Sequence, residues 1–131
     1  MNIVRLILWI SRLAGLGATI LGLLHWLDWF SLIALHILFG FLVALTLLIL
    51  SIVVTFTKRM KLPGILGITL ALVMPVLGTI QTTLLIGNLH WLIQATHLLI
   101  GVVAVATTQM LGRRYEQFKQ AVAKGREFAQ D

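Results

Sequence analysis

Four histidines, His25, His36, His90 and His97, are the side chains best able to do chemistry in this 131-residue chain. An imidazole can ligate a metal, move a proton or hydrogen-bond a neighbouring helix. There is no cysteine. Disulfides, thiolate metal sites, iron–sulfur clusters, cysteine nucleophiles and covalent haem attachment through Cys-x-x-Cys-His are therefore excluded. The only acids are Asp28, Glu116, Glu127 and Asp131. None lies deep in an apolar stretch, so the buried carboxylate needed by a proton-coupled pump or small multidrug transporter is missing.

The elements that must position the histidines follow from composition. The chain is 60% hydrophobic and 11% charged, against about 45–50% and about 25% for a soluble domain. Neither a water-soluble globule nor a disordered chain fits, and one domain is expected at this length. Four stretches reach the length of about 20 residues that spans a bilayer. They run from about Leu6 or Leu13 to Leu27, Leu32 to Phe56, Pro63 to Ile86, and Leu89 to Leu111. Lipid offers no partner to backbone polar groups, so the stretches must be helices. The expected fold is all-α: a four-helix transmembrane bundle over residues 1–112 and a helical tail over 113–131. Tyr115, Phe118 and Val122 give the tail one apolar stripe. A lipid-surface anchor or helix stabiliser is the favoured reading of it, ahead of a partner-docking helix. The first stretch lacks an Ala-x-Ala site and is not read as a cleaved signal.

Charge orients the bundle. Arg5, Arg12, Lys58, Arg59, Lys61, Arg113, Arg114, Lys119, Lys124 and Arg126 are all ten basic residues, and the loop order puts them on one side. The opposite side holds only Asp28. The positive-inside rule then makes both termini cytoplasmic. The expected setting is an integral protein of a prokaryotic plasma membrane. The +6 net charge reports topology, and no nucleic-acid partner is expected, because only the tail could carry a basic surface. Trp9, Trp26, Trp29 and Trp91 fit interfacial belts. Arg12 is deeper than Arg5. Either residues 2–12 lie along the interface as an amphipathic lead-in, or Arg12 snorkels.

The chain reads as two pseudo-repeated helical hairpins. Leu24-His25-Trp26-Leu27 is followed by His36-Ile37-Leu38-Phe39-Gly40. Leu89-His90-Trp91-Leu92 is followed by His97-Leu98-Leu99-Ile100-Gly101. Both hairpins cross in the same order, so their symmetry axis is expected along the membrane normal.

Depth brings His36 and His97 together. His36 lies five residues past Ser31 and His97 nine past Asn88, which is about 8 and 13 Å at the helical rise. The second and fourth helices of a sequential bundle are diagonal partners. Gly22 and Gly78, on the other two helices, fall at about 10 and 14 Å on the same rise. A macrocycle held between helices needs an imidazole from each side and small residues where its edge meets backbone. Gly40 and Gly101, one turn inward of each histidine, would open the same slot. His36 and His97 are thus the candidate axial ligands of a haem iron. A structural hydrogen-bonding role and another metal site are the competing readings.

His25 and His90 are shallower. They could be ligands of a second haem, groups that bind haem propionates or a quinone headgroup, or interfacial histidines beside tryptophans. Gln81 is one turn from Gly78 and is a candidate for the same cavity, its competing role an interhelical hydrogen bond. Pro75 is expected to kink the third helix. Gly15, Gly17, Gly64 and Gly67 are assigned to packing.

The stretch from Gly78-Thr79-Ile80-Gln81 through Gly87-Asn88-Leu89-His90-Trp91, followed by His97-Leu98-Leu99, resembles the third and fourth helices of a haem A synthase half. The resemblance covers most of residues 13–111. It implies a haem-binding four-helix bundle with one histidine on the second helix and one on the fourth, and pairing of two such halves, here as a homodimer. The synthases carry a glutamate just before the second-helix histidine, whereas Leu32-Ile33-Ala34-Leu35 precedes His36. The paired extracellular cysteines of many synthases are absent as well. The alternate-helix histidines are also similar to membrane cytochromes b.

The expected function is that of a b-type cytochrome. One non-covalent haem b, or two, would carry single electrons near the outer face, with a quinol as a candidate donor. Bis-histidine ligation leaves no open coordination position, which favours electron transfer over oxygen chemistry. A half-sized haem-modifying enzyme and a non-haem structural or small-solute transport protein are the alternatives.

Overall fold

The computed structural model describes residues 2–27, 29, 32–57 and 60–127. Asp28, Ser31, Lys58 and Arg59, on which part of the loop reading rests, and tail residues 128–131 lie outside the described residues. Four helices make up the fold: α1 (Ile3–Trp26), α2 (Ile33–Thr55), α3 (Lys61–Ile80) and α4 (His90–Glu127). All four are long and apolar enough to cross a membrane, as expected of an integral membrane protein.

Local chemistry sets the helix ends. The Asn2 side chain accepts from the Val4 N–H at 3.4 Å, which satisfies one of the orphan donors of the first turn. α1 is one continuous helix from Ile3, with Val4 and Leu8 buried. The reading of residues 2–12 as an interfacial lead-in is therefore corrected: the segment packs into the bundle. α3 passes through Pro75, whose ring nitrogen cannot donate to the Ala71 carbonyl. It ends at Ile80, short of the expected Ile86. The Thr79 and Thr83 hydroxyls donate to the carbonyls of Val76 and Ile80 at 2.8 Å, which competes with helix propagation. Leu85 and Gly87 then take positive φ values of 48° and 99°, which ends any regular helix. α4 is the longest, at 38 residues and about 57 Å. A hydrocarbon core is about 30 Å thick, so α4 extends well beyond it, with no break at Gly112.

Each helix runs antiparallel to the next. Gly15 and Gly112 of the α1–α4 pair face Val105 and Leu8, and Gly64 and Gly67 of α3 face Thr55 and Ser51 of α2. α2 and α4 touch each other and both remaining helices, while α1 and α3 do not touch. The cross-section is thus a rhombus with α2 and α4 on the short diagonal. The two helices that carry His36 and His97 are the pair that meets at the bundle axis.

Packing is uneven along that axis. Leu47, Leu50, Val54 and Leu111 are fully buried in the half toward the start of α1 and the end of α2. Glycines let backbones close there, which is how membrane helices gain contact without a hydrophobic drive. The roles assigned to Gly15, Gly17, Gly64 and Gly67 hold: a Cβ at any of them would collide with a neighbouring side chain. The other half is looser. Among the described residues, none is buried after Ala18 on α1, before Val43 on α2, after Met74 on α3, or before Ala104 on α4. All four histidines lie in that half.

Candidate functional site

His36 sits in the first turn of α2, and His97 two turns into α4. Their ring centroids are 6.0 Å apart, with the planes inclined by 51°. No hydrogen bond joins the rings among the described residues. They face each other without touching edge to edge.

The environment of His36 fixes its tautomer. Its Nδ1 lies 2.8 Å from the Ala18 carbonyl. A carbonyl can only accept, so Nδ1 carries the proton and donates. In the neutral ring, Nε2 is then left with a lone pair. This is the usual way a backbone carbonyl prepares a histidine to bind a metal. His97 differs: its Nδ1 is buried and has no partner among the described residues. Buried polar atoms nearly always find partners, so this one calls for an explanation.

Two glycines seat the rings. An ideal Cβ on Gly22 would stand 2.9 Å from His36 Cε1, and one on Gly78 would stand 3.3 Å from His97 Cε1. Both glycines belong to the helices off the short diagonal, each backing the imidazole of the following helix. The sequence reading assigned them to the edge of a macrocycle; the atoms they make room for here are those of the imidazoles. Gly40 and Gly101 behave differently. A Cβ on Gly40 would meet only Met74 Cε at 3.9 Å, and one on Gly101 would meet nothing within 4 Å. The place of a Cβ on Gly101 is open, whereas one on Gly40 would be in ordinary van der Waals contact with the buried Met74.

The remaining candidates stand apart. His25 is exposed in the last turn of α1, and His90, half-buried, opens α4. His90 Nδ1–H donates to the Leu84 carbonyl at 3.2 Å. Among the described residues, His36 and His97 are the only imidazoles in ring contact. Gln81 caps α3 just past its last turn, half-buried, with its backbone N–H on the Leu77 carbonyl. No group of three or more His, Asp or Glu side chains that could cage a metal ion occurs among the described residues. The site offers two facing imidazoles and no carboxylate.

An iron would be held by one nitrogen of each ring: Nε2 of His36, whose Nδ1–H is taken up by the Ala18 carbonyl, and a nitrogen of His97, whose buried Nδ1 has no partner among the described residues. The Ala18 carbonyl escaped sequence reasoning because a backbone acceptor leaves no mark on residue identity. Its only trace is the position of Ala18 one turn before Gly22, on the same face of α1.

Comparison with protein-family models, with curated proteins and with solved structures finds no match to this chain.

Proposed function

We propose that the chain is a membrane cytochrome of the b type, with His36 and His97 as the two axial ligands of one non-covalent haem. The facing of these imidazoles across the short diagonal, at 6.0 Å, carries the reading. The Ala18 carbonyl holds His36 as the Nδ1–H tautomer and so supports Nε2 as a ligand atom. Gly22 and Gly78 let the two rings lie against the backbones of α1 and α3, and no neighbouring atom stands where a Cβ on Gly101 would be. Haem in such a site supplies one-electron chemistry at its iron, with both axial positions filled. The chain's own part is to orient the two imidazoles and to keep the group inside an apolar shell.

In this reading the arginine- and lysine-rich end faces the cytoplasm by the positive-inside rule, and the histidine pair lies toward the outer leaflet. The two hairpins are diverged copies, each with a glycine against the imidazole of its second helix. The likeness to a haem A synthase half and the pairing of two chains belong to the same proposal, as does exchange of electrons with a quinol. No carboxylate precedes His36, which favours electron transfer over modification of the haem.

The test is haem retention after purification from cells supplied with haem. His36→Ala and His97→Ala should each keep less than about a tenth of the wild-type haem, since a lost axial ligand removes one of two bonds to the iron. Their helix content should be unchanged. Full retention in both variants would overturn the assignment.

A further inference from the structure

At the end of the bundle opposite the histidine pair, α1 and α4 form a half-open cavity of about 220 Å³ lined by Arg5, Leu8, Trp9, Arg12, Arg113 and Glu116. It combines three cations with one anion. Arg5 Nε reaches Glu116 Oε1 at 3.4 Å. Arg12 is oriented by neutral groups: its Nε donates to Gln109 Oε1 at 2.7 Å. The Gln109 amide donates in turn to the Leu8 carbonyl at 3.0 Å. The Arg12 guanidinium also lies 5.4 Å from the centre of the Trp9 ring. No carboxylate among the described residues compensates Arg12 or Arg113. A guanidinium does not deprotonate, so Arg12 and Arg113, both exposed, stay cationic and open to an anion from outside.

We propose that this cavity binds the phosphate of an anionic phospholipid. The forked donors of two arginines match phosphate oxygens. The cavity lies between two helices long and apolar enough to cross a membrane. Trp9, half exposed beside it, is the residue type that sits at headgroup level. Leu13 and Leu16 continue the Trp9 stripe of α1 and are more than half exposed, an apolar track for acyl chains. Basic pockets between transmembrane helices are the recurring form of such sites. The site is independent of any haem.

The test uses the delipidated full chain in detergent, with phosphatidylglycerol, phosphatidylcholine and inorganic phosphate as separate probes. Retention is read by native mass spectrometry and stabilisation by thermal melting. Phosphatidylglycerol should be retained and raise the melting temperature, and the other two probes should do neither. Arg12→Gln and Arg113→Gln should each weaken retention about fivefold, the worth of one basic residue at an anionic lipid surface. Glu116→Gln should strengthen it, because Arg5 is released. Arg114→Gln should leave it unchanged, since Arg114 lines a different groove, between α3 and α4. Arg113 has no protein partner among the described residues, so its variant reports on binding even where Arg12→Gln disturbs the fold. Equal retention of both lipids would overturn the proposal, as would binding of free phosphate alone or indifference to both arginine changes.

Discussion

His36 and His97 come from helices separated by two turns of the chain path, yet their rings stand 6.0 Å apart at the bundle axis. The contact exists because α2 and α4 occupy the short diagonal of the four-helix rhombus. It also needs Gly22 and Gly78, which let each imidazole lie against the backbone of a neighbouring helix. His36 Nδ1 is held by the Ala18 carbonyl, while the buried His97 Nδ1 has no partner among the described residues. This half is also the looser one: none of its described residues is buried.

A graded series of glycine replacements should follow from the space at each position. Gly22→Ala places a Cβ 2.9 Å from His36 Cε1, and Gly78→Ala places one 3.3 Å from His97 Cε1. The first must displace its ring, and the second needs a shift of a few tenths of an ångström. Haem affinity should fall more for Gly22→Ala than for Gly78→Ala. Gly101→Ala meets no protein atom within 4 Å and should leave the stability of the haem-free fold unchanged. Titration of haem into the haem-free proteins measures the order. An equal, negligible effect at positions 22 and 78 would remove both glycines from the site.

The half that holds Gly64 and Gly67 should respond as a close-packed membrane protein does. Gly64→Ala would bring a Cβ to 2.7 Å from the Thr55 backbone nitrogen and 2.8 Å from its Cα. Backbone cannot give way cheaply, so a loss of about 1–3 kcal/mol is expected, the usual cost of overpacking. Gly67→Ala collides first with the Ser51 hydroxyl, a side-chain group, and then with Leu111 Cδ1 at 3.1 Å. It should cost less than Gly64→Ala. Unfolding in mixed micelles gives both values, and the reverse order would place the tight helix contact elsewhere.

Topology can be read with single cysteines, because the chain has none of its own. A cysteine at Gly125, in the extension of α4, should react with a membrane-impermeant maleimide only after the cells are opened. A cysteine at Gly87, in the loop between α3 and α4, should react on intact cells. The opposite pattern would turn the bundle over and put the histidine pair at the cytoplasmic face.

Much of this arrangement was legible in the residues. The four apolar stretches, their order and the level of His36 against His97 follow from composition and the helical rise. Where the reading fell short, local backbone chemistry was decisive. The apolar run past Ile80 looks like helix, but the threonines at 79 and 83 bond their own backbone and Gly87 turns the chain. The hydrogen bond from Arg12 to Gln109 was hidden, because its partner lies almost at the other end of the sequence. The hydrogen bond from His36 to Ala18 was invisible, since its acceptor is a carbonyl that every residue carries. The tightness of Gly22 against His36 depends on a crossing distance that spacing alone does not encode.

The most direct measurement is the visible spectrum of the detergent-purified protein, oxidised and then reduced with dithionite, with the haem counted per chain. A sharp α-band of low-spin haem at about one per chain is the result expected of a single His36–His97 pair. A protein expressed with ample haem that shows no Soret band would contradict the account at its centre.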